Sequence, residues 1–142
     1  MRFYADLNNV KHQYYDEIKI GSLDNLDDLN REIAVFKQVI DWKDMWDINE
    51  AERRLLNSWK VLFFIPEQQI KGWYWLETPK NETFNLYINP DYRNKGWGLK
   101  MHKAMNQLSI DSGLTSLHCY IDDWNVSSQN LIKESGWKHL VI

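Results

Sequence analysis

The sequence predicts an α/β fold of the mixed (α+β) kind, a central mixed β-sheet flanked by helices on both faces. Three observations carry this. Leu26, Leu29, Ile33, Phe36 and Ile40 recur at helical spacing, as do Met101, Ala104, Met105 and Leu108. Three apolar or β-branched runs (Val61–Ile65, Ile70–Leu76 and Thr83–Ile88) are separated only by short polar turns, which is the pattern of antiparallel hairpins. Beyond residue 88 the pattern changes to strand, helix, strand, helix, strand, which calls for a β-α-β crossover.

The 142 residues suit one domain, taken as residues 1–142. Eight Trp residues supply large apolar surfaces for a core. The net charge of −3 argues against nucleic acid as the main partner, and no basic patch accompanies the many aromatics. Cys119 is the only cysteine, so no intrachain disulfide forms and no zinc cluster is implied. No apolar run approaches a membrane span, and the first residues lack the apolar core of a signal peptide. The expectation is a cytoplasmic protein with no membrane partner and no metal.

Met1 to Asn9 reads either as a short strand or as an arm. Gln13 to Ile20 is strand-like, and Gly21-Ser22 ends it, with Ser22 placed to cap a helix. The first long helix follows, with Asp24, Asp27 and Asp28 at its favourable N-terminal end. Asp41 to Asp47 is either its last turn or an irregular connection. Asn49 and Glu52 form a capping-box-like pair before a second, shorter helix through Ala51, Leu55, Leu56 and Trp59. Pro66 closes the Val61–Ile65 strand, and Pro79-Lys80-Asn81 turns the chain into Thr83–Ile88. The later helix runs to about Asp111 and ends at Ser112-Gly113. Leu114–Ile121 is a strand, Val126–Ser135 a short helix, and Trp137–Ile142 a final strand.

The densest chemistry lies at Leu86-Tyr87-Ile88-Asn89-Pro90-Asp91-Tyr92-Arg93-Asn94-Lys95-Gly96-Trp97-Gly98. A strand stops at Asn89-Pro90-Asp91, because proline offers no ladder donor and Asn and Asp favour turns. A loop punctuated by Gly96 and Gly98 then opens directly into a helix. Free N–H groups and the positive end of the helix dipole make an anion site there, and Arg93 and Lys95 add charge. The spacing Arg93-x-x-Gly96-x-Gly98 is neither a nucleotide-hydrolysing P-loop nor a dinucleotide fingerprint.

The stretch resembles the acyl-CoA pyrophosphate loop of the GNAT superfamily of N-acyltransferases, Arg/Gln-x-x-Gly-x-Gly/Ala after a strand ending in an x-Pro turn. Asn94 stands where that family often has glycine, and Asn also tolerates positive φ. A second run, Asn125-Val126-Ser127-Ser128-Gln129-Asn130-Leu131-Ile132-Lys133-Glu134-Ser135-Gly136-Trp137, is similar to the family's Asn-x-x-Ala-x-x-Leu-Tyr-Glu-Lys-x-Gly-Phe. Asn125, Leu131 and Gly136 match, while Ser128 and Trp137 are conservative replacements. The order of elements from residue 13 to 142 is also the family's.

The resemblance implies an acetyl-CoA-dependent N-acetyltransferase acting on a small-molecule or peptide amine. The backbone of Arg93, Asn94, Lys95, Gly96, Trp97 and Gly98 would hold the pyrophosphate. The strand edge at Leu86, Tyr87 and Ile88 would pair with the pantetheine arm, and Asn125 and Ser128 would contact the same arm. Asn125 reads equally as a plain helix N-cap. Glu82, eleven residues before Arg93, is where some members place a general base; the alternative is a solvated strand-end carboxylate. Ile132 takes the place of a Tyr that, in many members, protonates the departing thiolate, which leaves Tyr120 as the nearest substitute. Trp42, Asp44 and Trp46 form an aromatic-acidic cluster where the family often lines its acceptor site; packing of the indoles with solvated acids is the alternative. Cys119 has no activating neighbour in sequence. The chain also ends one strand beyond Gly136, where the family usually adds a hairpin. That implies cover of the sheet edge by an N-terminal strand or by a second subunit, hence a possible homodimer. The competing class is a non-catalytic CoA-binding or protein-interaction module that keeps the fold.

Overall fold

The computed structural model describes residues 1–39 and 47–141. Among them run seven strands and four α-helices. They are β1 (Arg2–Asp6), β2 (Ile18–Ile20), α1 (Leu26–Val39), α2 (Ile48–Leu56), β3 (Trp59–Phe64), β4 (Gly72–Glu77), β5 (Glu82–Ile88), α3 (Trp97–Asp111), β6 (Ser116–Tyr120), α4 (Val126–Glu134) and β7 (Lys138–His139). The strands form one mixed sheet in the order β2-β3-β4-β5-β6-β1-β7. The β5–β6 pair is parallel and every other pair is antiparallel.

Each face carries its own core. On one face Met101, Ala104, Met105 and Leu108 of α3, with Ile132 of α4, pack against Phe3, Ala5, Leu62, Tyr74, Leu117 and Cys119. On the other, Leu29, Ile33 and Phe36 of α1 and Ala51 of α2 pack against Val61, Phe63, Trp73, Trp75 and Tyr87. The helical spacing of these residues puts one apolar stripe of each helix on the sheet. Helices therefore lie on both faces.

Several local readings change. Met1–Asn9 contains strand β1, and β1 lies inside the sheet, paired with β6 on one side and β7 on the other. The N-terminal strand thus inserts between the last two strands rather than covering the sheet's end, and β7 stands at the edge. The strand expected at Gln13–Ile20 is regular only over Ile18–Ile20. The one expected at Trp137–Ile142 shrinks to Lys138–His139 among the described residues. Ser22 does cap, but it caps a 3-10 turn at Leu23–Asn25 that leads into α1. The cap of α2 is Asp47, whose side chain accepts the Glu50 N–H at 2.9 Å, rather than the Asn49–Glu52 pair. No described helix is long and apolar enough to cross a membrane.

Candidate active site

The strand β5 is irregular, and its irregularity makes the site. Trp73 pairs with Tyr87 and Trp75 with Phe84, so Asn85 and Leu86 together stand opposite Tyr74. This is a β-bulge, and Asn85 takes the left-handed conformation it needs, at φ 55°. Toward β6, the single register pair is Glu82 with His118. Beyond Glu82 no further β5–β6 pair forms among the described residues, so the β5 edge toward β6, here the cleft edge, is unpaired toward the strands' C-terminal ends, the usual position of a ligand crevice in such sheets.

Asn89 N–H bonds the Lys71 carbonyl at 2.7 Å on the β4 side. Strand alternation then turns the backbone groups of Tyr87 toward β4 and those of Leu86 and Ile88 toward the cleft. The Ile88 carbonyl receives Arg93 Nε at 2.8 Å. Tyr87 is thus no part of the cleft edge; its side chain is buried, with its hydroxyl 2.8 Å from Glu32.

The cleft leads to the start of α3. Asn89 ends β5 by accepting the Asp91 N–H on its side-chain oxygen, and a 3-10 turn covers Pro90–Tyr92. Asn94 at φ 60° and Gly96 at φ 85° turn the chain into the helix. No side chain caps that helix. Its ladder opens with Lys100 N–H to the Gly96 carbonyl at 3.2 Å, so the Trp97, Gly98 and Leu99 N–H groups precede it and point off the end. Lys95 Nζ sits 3.2 Å from the Asp91 carbonyl and Lys100 Nζ lies 4.3 Å over the Trp97 ring, both near the same opening. A Cβ at Gly98 would meet Leu131 Cδ2 at 2.6 Å, so the glycine allows α4 to approach the helix start closely.

Asn125 is the N-cap of α4, and its side chain accepts the Ser128 N–H at 3.2 Å. Ile132 is wholly buried, so its position offers the cleft neither a proton nor an exposed hydroxyl. Glu82 Oε1 accepts from Arg2 Nη1 at 3.0 Å, and the Arg2 guanidinium lies 5.8 Å over the Tyr120 ring. The two candidate catalytic residues are therefore bridged by one cation from β1, a contact with no local sequence signal. Tyr120 is exposed. Glu77 stands opposite Glu82 across β4 and β5, and the rings of Trp59 and Phe84 stack at 5.2 Å beside them. Trp42, Asp44 and Trp46 lie outside the described residues.

A family model described as Acetyltransferase (GNAT) family matches residues 34–137. The chain belongs to the GNAT acetyltransferase family. Thialysine N-epsilon-acetyltransferase of Bos taurus is 32% identical over 56 residues, which is 39% of this chain and 33% of that protein. The Mus musculus protein of the same name is 30% identical over the same span. The matched stretch thus spans about a third of the length of these relatives. Among solved structures, an aminoglycoside acetyltransferase from an uncultured soil metagenomic sample, in complex with sisomicin, superposes with a TM-score of 0.70 at 17% identity, covering 95% of this chain and 93% of that one. AAC(6')-Iy in complex with a bisubstrate analogue, CoA-S-monomethyl-acetylneamine, gives 0.71 at 13% identity, covering 88% and 93%. At such identities the likeness is one of fold, and it places this GNAT chain's seven-stranded mixed sheet among acetyltransferases.

Within this GNAT domain the residues fit a coenzyme A thioester. The cleft offers an unpaired strand edge to an amide-bearing arm, and the uncapped helix start offers N–H groups to a pyrophosphate.

Proposed function

We propose that the chain is an acetyl-CoA-dependent N-acetyltransferase whose acceptor is a primary amine, reacting by direct attack in a ternary complex. The observation that carries this reading is the unpaired edge of β5 beyond Glu82 running into the uncapped start of α3. Bound acetyl-CoA supplies an acetyl thioester, whose C–S bond breaks as the amine N–C bond forms.

The chain's own residues supply the rest. The loop from Arg93 to Gly98 binds the pyrophosphate through backbone N–H groups, with Arg93 holding the Ile88 carbonyl so that the loop keeps its entry angle. Leu86 and Ile88 orient the pantetheine arm along the strand edge, and a cleft-facing N–H there polarises the thioester carbonyl. Glu82 takes the amine proton directly or through water, and Tyr120 takes the place of the missing acid for the departing thiolate. Free thiolate also leaves with little help, since a thiol's pKa is only ~8.5. Asn125 and Ser128 shape the far wall.

Calorimetric titration with acetyl-CoA tests the binding step, with the Gly96→Glu, Gly98→Glu double variant as control. Binding lost in the variant supports the loop assignment. Thiol release is then followed with thialysine, an aminoglycoside and a peptide amine as acceptors. Glu82→Gln lowers kcat by roughly a hundredfold if Glu82 is the base. An unchanged kcat in Tyr120→Phe removes Tyr120 from the reading.

A second reading is a CoA-binding or protein-interaction module without catalysis. Buried Ile132 at the usual acid position and the engagement of Glu82 by Arg2 favour it. Acetyl-CoA binding without acceptor-dependent thiol release would support it over the first.

A further inference from the structure

We propose that the acceptor is an amine that also carries a carboxylate, and that Arg2 binds this carboxylate, releasing Glu82 to meet the amine. This rests on the N-acetyltransferase reading and names the class of its acceptor.

The placement of Arg2 follows from strand register. Arg2 stands opposite Tyr120 and Tyr4 opposite His118 across β1 and β6, while Glu82 stands beside His118 across β5 and β6. Phe3, Ala5, Leu117 and Cys119, the alternating neighbours, enter the core beneath α3 and α4. Arg2, Tyr4, His118, Tyr120 and Glu82 therefore share the opposite face of the sheet. The helices α1 and α2 cover only the β3–β4–β5 half of that face. Tyr4 and Tyr120, at 42% and 57% exposure, show that the other half is open.

On this open half-face Arg2 is poorly used. Its contact to Glu82 is end-on, through Nη1 to Oε1 alone, and its side chain is 49% exposed against 15% for Glu82. Among the described residues no acceptor meets Nε or Nη2, so the planar fork that fits a carboxylate with two parallel bonds stays available. A half-exposed, single-bonded ion pair contributes little to stability, so exchanging it for a bidentate pair with an incoming carboxylate is favourable.

The exchange also changes the base. While Arg2 holds Glu82, one carboxylate oxygen is taken up by the guanidinium and is not presented to an incoming amine. Once Arg2 turns to the acceptor's carboxylate, Glu82 faces the acceptor's ammonium with Glu77 opposite it across β4 and β5. The partner of Glu77, Lys80 Nζ, stays at 3.7 Å. A zwitterion matches this arrangement charge for charge. An amine without a carboxylate leaves Arg2 on Glu82, so the base stays engaged.

The test is thiol release from acetyl-CoA by the full chain with matched pairs of acceptors: lysine and cadaverine, histidine and histamine, tyrosine and tyramine. The second of each pair is the first without its carboxylate. The expected result is a kcat/KM higher by roughly tenfold or more for the carboxylate-bearing member of the productive pair, the worth of a charged hydrogen-bonded contact. Arg2→Met abolishes that preference by raising the KM of the amino acid, while turnover of the decarboxylated amine rises because Glu82 is freed. Arg2→Lys restores part of the preference. A merely structural role would lower both members together. Equal use of both members by the wild type, or a preference unchanged in Arg2→Met, overturns the proposal while leaving the acetyltransferase reading intact. Silence with every amine overturns the proposal. Loss of acetyl-CoA binding by calorimetry sinks the acetyltransferase reading as well.

Discussion

The Glu32 carboxylate accepts a 2.8 Å hydrogen bond from the Asn89 side-chain amide, joining the middle of α1 to the end of β5. The same oxygen accepts the Tyr87 hydroxyl at 2.8 Å, and Lys71 Nζ lies 3.4 Å from the other. Glu32 is only 2% exposed. A carboxylate so buried persists only when its oxygens are bonded. Burial first, then the hydrogen bond to Glu32, push the Tyr87 phenol far above its ordinary range, so it stays a donor. Asn89 is also the residue whose oxygen accepts the Asp91 N–H. One side chain therefore both latches to α1 and opens the turn into the candidate phosphate loop.

Replacement of Glu32 separates these roles. Glu32→Leu leaves the Tyr87 hydroxyl and the Asn89 amide buried without an acceptor and costs about 3 kcal/mol. Glu32→Gln keeps one acceptor oxygen for Tyr87 and Asn89 but turns an amide NH2 toward Lys71 in place of the oxygen that accepted from it, costing about 1 to 2 kcal/mol. Urea unfolding measures both. If the latch sets the loop, acetyl-CoA affinity falls further in Glu32→Leu than in Glu32→Gln. Equal affinities in the two variants would show that the loop holds its shape without the latch.

His102 gives a pH dependence of known sign. Its ring is buried in α3, edge-on to Tyr74 at 5.1 Å between centroids, and its Nδ1 has no hydrogen-bond partner. Burial lowers its pKa from 6.5 to about 3. Below pH 6.5 the unfolded chain therefore takes up a proton that the folded chain refuses. Stability falls as the pH drops from there toward 3, by up to about 1.4 kcal/mol per unit. Carboxylates titrate near 4, so the diagnostic window is pH 6.5 to about 5. His102→Leu flattens the stability profile in that window. An identical slope in the variant would assign the loss to other groups.

Much of this architecture was legible because it is written in local periodicity. The stripe Leu29, Ile33 and Phe36, the stripe Met101, Ala104, Met105 and Leu108, and the Arg93-x-x-Gly96-x-Gly98 loop each declare themselves within one element. What was not legible depends on meetings between distant segments. Nothing in Arg2-Phe3-Tyr4-Ala5-Asp6 says that it pairs with both Ser116–Tyr120 and Lys138–His139. Arg2 and Glu82 are eighty residues apart, and Glu32 and Asn89 fifty-seven. Glu32 reads in sequence as one more polar residue of an amphipathic helix. The bulge had a faint signal, an Asn in a β-branched and aromatic run. A single Asn in a strand has many uses, so Asn85 does not by itself mark the bulge.

Gly96 and Gly98 are constrained for different reasons, and substitution distinguishes them. Gly96→Ala meets no atom within 4 Å but must hold φ at 85°, which costs about 1 kcal/mol. Gly98→Ala drives its Cβ to 2.6 Å from Leu131 Cδ2. It costs about 1 to 2 kcal/mol unless Leu131 moves. Adding Leu131→Ala relieves the clash at Gly98→Ala and does nothing for Gly96→Ala. Thermal melting of the two double-mutant cycles reads a coupling at position 98 and none at 96. Coupling at both would mean that Leu131 also supports the turn.

Cys119 decides whether thiol release is a clean measurement. Its side chain lies in the core beneath α3, and burial first of all pushes its pKa up to about 12. The neighbouring Thr83 hydroxyl pulls it down and the Glu82 charge pushes it up, both less than burial does. At pH 8 the thiol therefore stays overwhelmingly protonated, and the thiolate is the reactive form. The native chain is expected to consume a disulfide reagent over hours, and the chain in urea within seconds. Released coenzyme A, whose thiol is exposed, reacts at once and is read above a flat baseline. The same chemistry removes Cys119 as an acyl carrier, because an enzyme nucleophile needs an accessible thiolate. Rapid titration of one thiol per folded chain would place Cys119 at the surface and reopen that role.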